Sequence, residues 1–274
     1  MTVTSKMKLS TATDILSRAG IDDARLEARI LFSEVGKVPR AELYGRDAEC
    51  DSDELKTAVE RRAAREPLQY VIGEVDFYRE RYKVTPDCLI PRADTEILVE
   101  EAVKRIPEGA RFIDLCTGSG CIVLSVLNNT SKTTAAAVDV SEGALRVAVE
   151  NAERLKLAGR IDFLKADVLK GAVEGKFFAV LSNPPYVTSE AYKNLMPEIY
   201  FEPEIAFLGG EDGLDFYRNI LKNYRDSLED GGFFGFEIGY DQKESITALA
   251  EENSMNIEII NDYSENPRVA ILKK

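Results

Sequence analysis

The sequence predicts an α/β fold, a doubly wound, mostly parallel sheet of seven strands behind a small helical domain, and three observations predict it. From residue 111 onward, strand-length apolar runs alternate with helix-length segments, the pattern of strands joined by crossover helices. Before residue 67 the apolar spacing is near helical, with Asp or Ser at several starts and Gly or Pro after the ends. The last two strands have only residues 261–267 between them, too few for a crossover helix, so that pair is expected to run antiparallel.

In chain order, the spacing predicts helices over 9–19, 22–35, 39–44 and 51–65, closed by Gly20, Gly36, Gly45 and Pro67. Val75-Asp76-Phe77-Tyr78 and Arg81-Tyr82-Lys83-Val84 flank Arg79-Glu80 as a β-hairpin. A Pro-bounded segment, 85–92, leads into a helix over 94–105. Strands follow at 112–115, 134–139, 161–165, 177–181, 232–238, 256–260 and 268–272, with helices at 119–128, 142–157, 214–228 and 243–253. The expected domains are 1–74, helical; 75–92, hairpin and linker; and 93–274, the α/β domain.

Composition narrows the chemistry. The 274 residues include no His, which excludes a Ser-His-Asp triad, a Cys-His dyad and an imidazole metal site. Chemistry must come from carboxylates, amides, backbone groups or a cofactor, and no metal is expected. With 35 Lys+Arg against 48 Asp+Glu the net charge is −13, and a surface this acidic repels bulk nucleic acid. Residues 1–74 hold 12 basic and 14 acidic side chains, so most of the excess lies beyond them. Cys50, Cys88, Cys116 and Cys121 form no C-x-x-C pair, and no secretory run lies near Met1, so reduced thiols in a cytoplasm are expected. No stretch approaches the roughly 20 apolar residues of a membrane span.

Three strand ends carry candidate site residues. Phe112-Ile113-Asp114-Leu115-Cys116-Thr117-Gly118-Ser119-Gly120 runs from an apolar strand into a loop that opens a helix, where a ligand can approach backbone N–H groups or where glycines serve packing alone. A dinucleotide G-x-G-x-x-G fits poorly, because Val123 stands where the third glycine belongs. Asp139, ending the next strand, suits a carboxylate accepting from both ribose hydroxyls, or a helix N-cap, for which Ser141 competes. Asp167 and Val168 after the third strand suit an adenine, by its amine and its ring, or else a plain loop carboxylate. After the fourth strand come Ser182-Asn183-Pro184-Pro185-Tyr186. Two prolines stiffen the backbone and remove N–H donors, Asn183 adds a carbonyl acceptor, and Tyr186 an aromatic face, together a set of acceptors for a planar NH2 group.

N-P-P-Y after strand four, with an Asp-containing glycine loop after strand one, resembles the class I S-adenosylmethionine-dependent amino methyltransferases, whose fold is Rossmann-like. Pro67-Leu68-Gln69-Tyr70-Val71-Ile72-Gly73, Phe77-Tyr78, Val84-Thr85-Pro86, Leu89-Ile90-Pro91-Arg92-Ala93-Asp94-Thr95-Glu96, Phe201-Glu202-Pro203 and Arg268-Val269 resemble the release-factor glutamine methyltransferase family over almost the whole chain. The resemblance implies methyl transfer from S-adenosyl-L-methionine to the side-chain amide of the Gly-Gly-Gln glutamine of peptide chain release factors. Asn183, Pro184 and Tyr186 are then catalytic, Pro185 and Arg92 join them on the substrate, and Arg92 equally suits a structural ion pair. Cys116, Thr117, Gly118, Ser119, Gly120, Asp139, Asp167, Val168 and Asn183 form the implied cofactor set. Cys116 departs from the family, which commonly has glycine there, and a Cys resists positive φ. The helical domain is expected to help recognise the protein substrate, and a monomer is expected. The same acceptor loop suits an adenine-N6 methyltransferase on DNA or RNA, against which stand the charge and the lack of a basic stripe. A non-catalytic module that binds release factors is the remaining alternative.

Overall fold

The computed structural model describes residues 6–45 and 47–274; the first five residues of the expected helical domain and Arg46 lie outside the described residues. The chain divides into two units, Met1–Glu74 with Met196–Phe201, and Val75–Leu195 with Glu202–Lys274.

The first unit contains α1 (Leu9–Arg18), α2 (Ala24–Glu34), a single turn α3 (Glu42–Gly45), α4 (Asp53–Ala63) and α5 (Leu68–Ile72), with β1 (Met7–Lys8) paired antiparallel to β2 (Glu49–Cys50). Leu9, Ala12 and Leu16 of α1, Ala24, Ala28, Leu31 and Phe32 of α2, and Leu55, Ala58 and Val59 of α4 recur every three or four residues. Each set buries one stripe of its helix in a common core. Ser52 starts α4 by accepting the Leu55 amide at 3.1 Å. The helix expected over 39–44 shrinks to one turn, because Leu43 alone is buried there and a short helix without an apolar stripe does not hold. Helix α5 was not expected: Pro67 before it and Gly73 after it, at φ 86°, punctuate five residues, too few to show a helical period. Glu198 explains why a distant segment joins this unit. Its carboxylate meets Arg62 at 3.1 Å and Arg65 at 2.8 Å, and Arg62, almost fully buried, also pairs with Glu27 at 2.5 Å. A buried guanidinium is tolerated only when carboxylates meet it in this way.

The hairpin strands are β3 (Glu74–Phe77) and β4 (Glu80–Lys83). Their turn falls at Tyr78-Arg79, one residue earlier than expected, because Glu80 points inward and accepts from Ser125 Oγ at 3.1 Å and Asn128 Nδ2 at 2.7 Å. Then follow α6 (Glu96–Arg105), β5 (Arg111–Leu115), α7 (Cys121–Asn128), β6 (Thr134–Asp139), α8 (Glu142–Arg154), β7 (Ile161–Lys165) and β8 (Phe177–Ser182). The chain continues through α9 (Ser189–Tyr192), α10 (Asp215–Tyr224), β9 (Leu228–Glu237), α11 (Lys243–Glu252), β10 (Asn256–Asn261) and β11 (Pro267–Lys273).

Seven strands form one sheet in the order β10-β11-β9-β8-β5-β6-β7. Strands β7, β6, β5, β8 and β9 run parallel, and β11 runs antiparallel to both its neighbours. The short final connection dictates that reversal, as expected. Alternate strand residues divide between two cores. Phe112, Ala135, Ala137 and Leu181 pack with α6 and α7, whereas Ile113, Ala136, Val138 and Val180 pack with α10 and α11. Strand β9 starts four residues before its expected position. Leu228 already pairs with Phe177, and the register then shifts so that Phe233 meets Ala179, with Gly231 at φ 76° inside the irregularity.

Candidate active site

Parallel pairing brings the ends of β5, β6, β7 and β8 to one edge. Leu115 stands opposite Val138 on one side and Ser182 on the other, and Asp139 stands opposite Lys165. Ser182 Oγ donates to Leu115 O at 2.7 Å, locking β8 to β5 where the sheet order reverses, the place where ligands bind in such sheets. A cavity of about 310 Å³ opens at this edge. Of the residues expected from the sequence, Cys116, Gly118, Asp139, Asp167, Val168, Asn183 and Pro185 line it; Thr117, Ser119, Gly120, Pro184, Tyr186 and Arg92 do not.

The glycine loop owes its shape to three left-handed residues, Cys116 at φ 59°, Gly118 at 55° and Gly120 at 80°. Cys116 therefore adopts the conformation its side chain resists, at a cost of roughly 1–2 kcal/mol. Burial pushes its thiol up, away from the thiolate. Gly118 N–H donates to Asp139 Oδ2 at 2.9 Å, and a Cβ on Gly118 would meet no protein atom. Gly120 is a packing position, since a Cβ there would lie 3.1 Å from the Ala148 Cβ. Thr117 and Ser119 are buried beneath the loop, and the Thr117 hydroxyl donates to Asp114 Oδ2 at 2.6 Å.

Asp114 is wholly buried, and burial raises its carboxyl from 3.8 to about 7. A carboxyl raised in the folded state favours folding below its unfolded value, and that contribution is lost as pH rises through the folded value. Asp114→Asn therefore gains stability relative to the parent as pH rises from about 4 to about 7, by at most about 4 kcal/mol, and nothing further above. Thermal melts of both proteins across this range check it; parallel curves would contradict the shift.

Asp139 is held from both sides. Oδ2 takes the Gly118 amide, and Oδ1 takes the Ser141 amide at 2.8 Å. The cap of α8 belongs to Ser141, whose hydroxyl accepts the Ala144 amide at 3.2 Å. Asp167 Oδ1 accepts from Leu169 N at 3.0 Å, and Lys170, 2.9 Å from its carboxylate, holds that group below the usual range. Val168 is buried beside it.

In the N-P-P-Y loop both prolines are buried, Asn183 Nδ2 donates to Thr95 Oγ1 at 3.3 Å, and the Tyr186 hydroxyl donates to Glu237 Oε1 at 3.2 Å. Residues 207–209 pair alongside, with Val187 N bonded to Phe207 O at 2.8 Å and Gly209 N to Val187 O at 2.9 Å. A Cβ on Gly209 would fall 2.6 Å from both Pro185 O and Tyr186 Cα. Backbone atoms cannot yield cheaply, so Gly209→Ala displaces the loop, lowers melting stability by about 1–3 kcal/mol and reduces turnover tenfold or more. Activity and a melt on the same preparation test this.

Arg92 pairs with Glu202, a buried carboxylate that also accepts the Ile90 amide at 2.9 Å. Of its two readings, the geometry matches the ion pair. Several lining residues escaped the sequence reading: Asp87, Cys88 and Leu89 from the Pro-bounded segment, Pro203 to Gly210 in part, and Asp215 and Phe216 at the start of α10. The only available signal was that Leu89 and Pro203 fall in segments that carried the resemblance. Gly143 is what admits Asp87, since a Cβ there would sit 2.6 Å from its carboxyl. Among the described residues, four acidic ones, Asp87, Asp139, Asp167 and Asp215, line the cavity, and no Lys or Arg does. Such a wall attracts a cation and repels phosphates.

Comparison with known proteins adds a family. The PrmC N-terminal domain model matches residues 8–73, and the methyltransferase small domain model matches residues 93–205. The release factor glutamine methyltransferase of Thermodesulfovibrio yellowstonii is 39% identical over 90% of this chain and 92% of its own. That of Caulobacter vibrioides is 36% identical over 99% and 96%. A ribosomal protein L11 methylase structure from Lactobacillus delbrueckii subsp. bulgaricus, 22% identical with a TM-score of 0.50 over 70% of this chain and 84% of that one, is alike in fold.

Proposed function

This chain belongs to the release factor glutamine methyltransferase family, and we propose that it transfers a methyl group from S-adenosyl-L-methionine to the side-chain amide nitrogen of the Gly-Gly-Gln glutamine of peptide chain release factors. One observation carries the reading: the acceptor loop, through Asn183 and Pro185, and the strand-end residues Gly118, Asp139 and Val168 share the wall of one cavity.

The cavity suits this cofactor. Each Asp139 oxygen accepts one backbone N–H and keeps a lone pair for a ribose hydroxyl, Val168 offers apolar surface to a purine beside Asp167, and the four carboxylates favour a positively charged ligand. When bound, the cofactor supplies an electrophilic methyl group on sulfonium. The protein's task is on the acceptor side. A glutamine amide is a weak nucleophile, since its lone pair is delocalised, but it keeps its protons until attack. Asn183 Oδ1 and the Pro184 carbonyl accept its two N–H bonds, orient the nitrogen and stabilise the charge that develops on it. Tyr186, its hydroxyl committed to Glu237 and kept protonated by burial, offers its ring rather than a base. Proton loss follows transfer, and no imidazole is needed. The helical unit supplies protein contacts beyond the tripeptide, which by itself buries little surface.

Mass spectrometry tests the proposal. Purified release factor incubated with enzyme and cofactor is expected to gain one methyl group on the Gly-Gly-Gln peptide, while DNA and RNA gain none. Methylated adenine would move the activity to nucleic acid, and an unchanged glutamine would leave a binding module.

A further inference from the structure

We infer that Thr95 and Glu237 are positioning residues that decide which end of the Asn183 amide the site presents, an inference that rests on the role given to Asn183 above. A side-chain amide fits its density of neighbours in two orientations that exchange oxygen and nitrogen, and only hydrogen-bond partners distinguish them. For Asn183 the choice matters, since an NH2 group facing the acceptor glutamine would repel the N–H bonds that Oδ1 accepts.

The partners form a directed relay. Glu237 ends β9 and receives the Thr95 hydroxyl on Oε2 and the Tyr186 hydroxyl on Oε1. A hydroxyl has one proton, so Thr95, having given it to Glu237, offers Asn183 only lone pairs. Those lone pairs accept Nδ2 and repel Oδ1, and Oδ1 is thereby turned away from Thr95. Thr95 and Glu237 are each 2% exposed, so water does not substitute for either. Thr95 closes the turn Ala93–Thr95, and two residues just before it are braced, Arg92 against Glu202 and Asp94 against Arg268 at 3.3 Å. One buried carboxylate thus ties down both ends of the N-P-P-Y loop. An acid is suited to this because both its oxygens accept, whereas an amide in its place would donate from one.

Thr95→Val keeps the shape and removes the hydroxyl; Thr95→Ser keeps the hydroxyl. Thr95→Val is expected to lose about a hundredfold in kcat on release factor, with cofactor affinity and KM unchanged. Thr95→Ser restores most of that loss, and Glu237→Gln behaves as Thr95→Val does. A Thr95→Val enzyme with parental kcat, or a Thr95→Ser enzyme as slow as Thr95→Val, overturns the inference. A second readout needs no turnover: the Asn183 side-chain NH2 signals of 15N-labelled protein are expected to exchange with water slowly in the parent and fast in Thr95→Val and Glu237→Gln. Equal exchange in all three overturns the relay. If the parent fails to methylate release factor, the functional reading falls, and the exchange measurement still judges the relay.

Discussion

Asn183→Ala lowers glutamine methylation by about two to three orders of magnitude while the protein still binds its cofactor. The side chain removed belongs to a residue that lines the cavity, and in the proposed role it acts on charge that appears only as the new N–C bond forms. Its loss therefore falls on kcat rather than on binding. The Thr95 hydroxyl also loses the Nδ2 group it accepts, and an orphaned buried acceptor costs about 1–3 kcal/mol, so some loss of melting temperature accompanies the loss of turnover. Single-turnover methylation of release factor, with cofactor binding by calorimetry on the same variant, separates the two effects. Full turnover in Asn183→Ala would remove the residue from the acceptor site.

Asp139→Ala has the complementary outcome: cofactor affinity falls about a hundredfold or more, and turnover at saturating cofactor recovers much of the parental rate. Hydrogen bonds to a charged group contribute about 1.5–3 kcal/mol each; this carboxylate holds two loops at their amides, and in the proposed role it also receives the ribose hydroxyls. Removing it frees the Gly118 and Ser141 N–H groups together and loosens the rim on both sides of the site. Calorimetric titration of the variant measures the shift, and a parental Kd would take Asp139 out of the cofactor set. Burial raises the Asp139 carboxyl above its usual value, so affinity is expected to weaken on acidification. The ionised form is the one that accepts on both oxygens, from the two amides and, in the proposed role, from the ribose hydroxyls, and it is lost as pH falls through the raised value.

Much of this site was legible because each candidate stands next to a strand end, and strand ends are visible as breaks in an apolar period. Gly118, Asp139, Val168 and Asn183 were found in that way and share one cavity. Thr117, Ser119 and Gly120 look the same in sequence but lie beneath the loop, because a tight turn needs buried residues as well as exposed ones. Asp87 and Asp215 were not legible. Both line the cavity, from a linker and from the start of a helix, neither of which has a period that says where it lies. Arg92 was ambiguous for a related reason: its partner Glu202 is 110 positions away, and no local pattern pairs them.

The sequence by itself determined the kind of sheet, the antiparallel final pair and the stiff N-P-P-Y loop at the sheet's edge, because alternation, connection length and two adjacent prolines act within a few residues of one another. The missing histidine belongs with these, since it excluded a general base of the usual kind before any fold was known. Tertiary structure decided what long-range packing alone can decide. It recruited Met196–Phe201 to the helical unit through Glu198, placed Glu80 inside the hairpin, and forced Cys116 into a glycine's conformation. It also set Thr95 and Glu237, distant in sequence, against the two ends of the N-P-P-Y loop. Such contacts depend on where whole elements pack, and a buried polar group finds its partner only after they have done so.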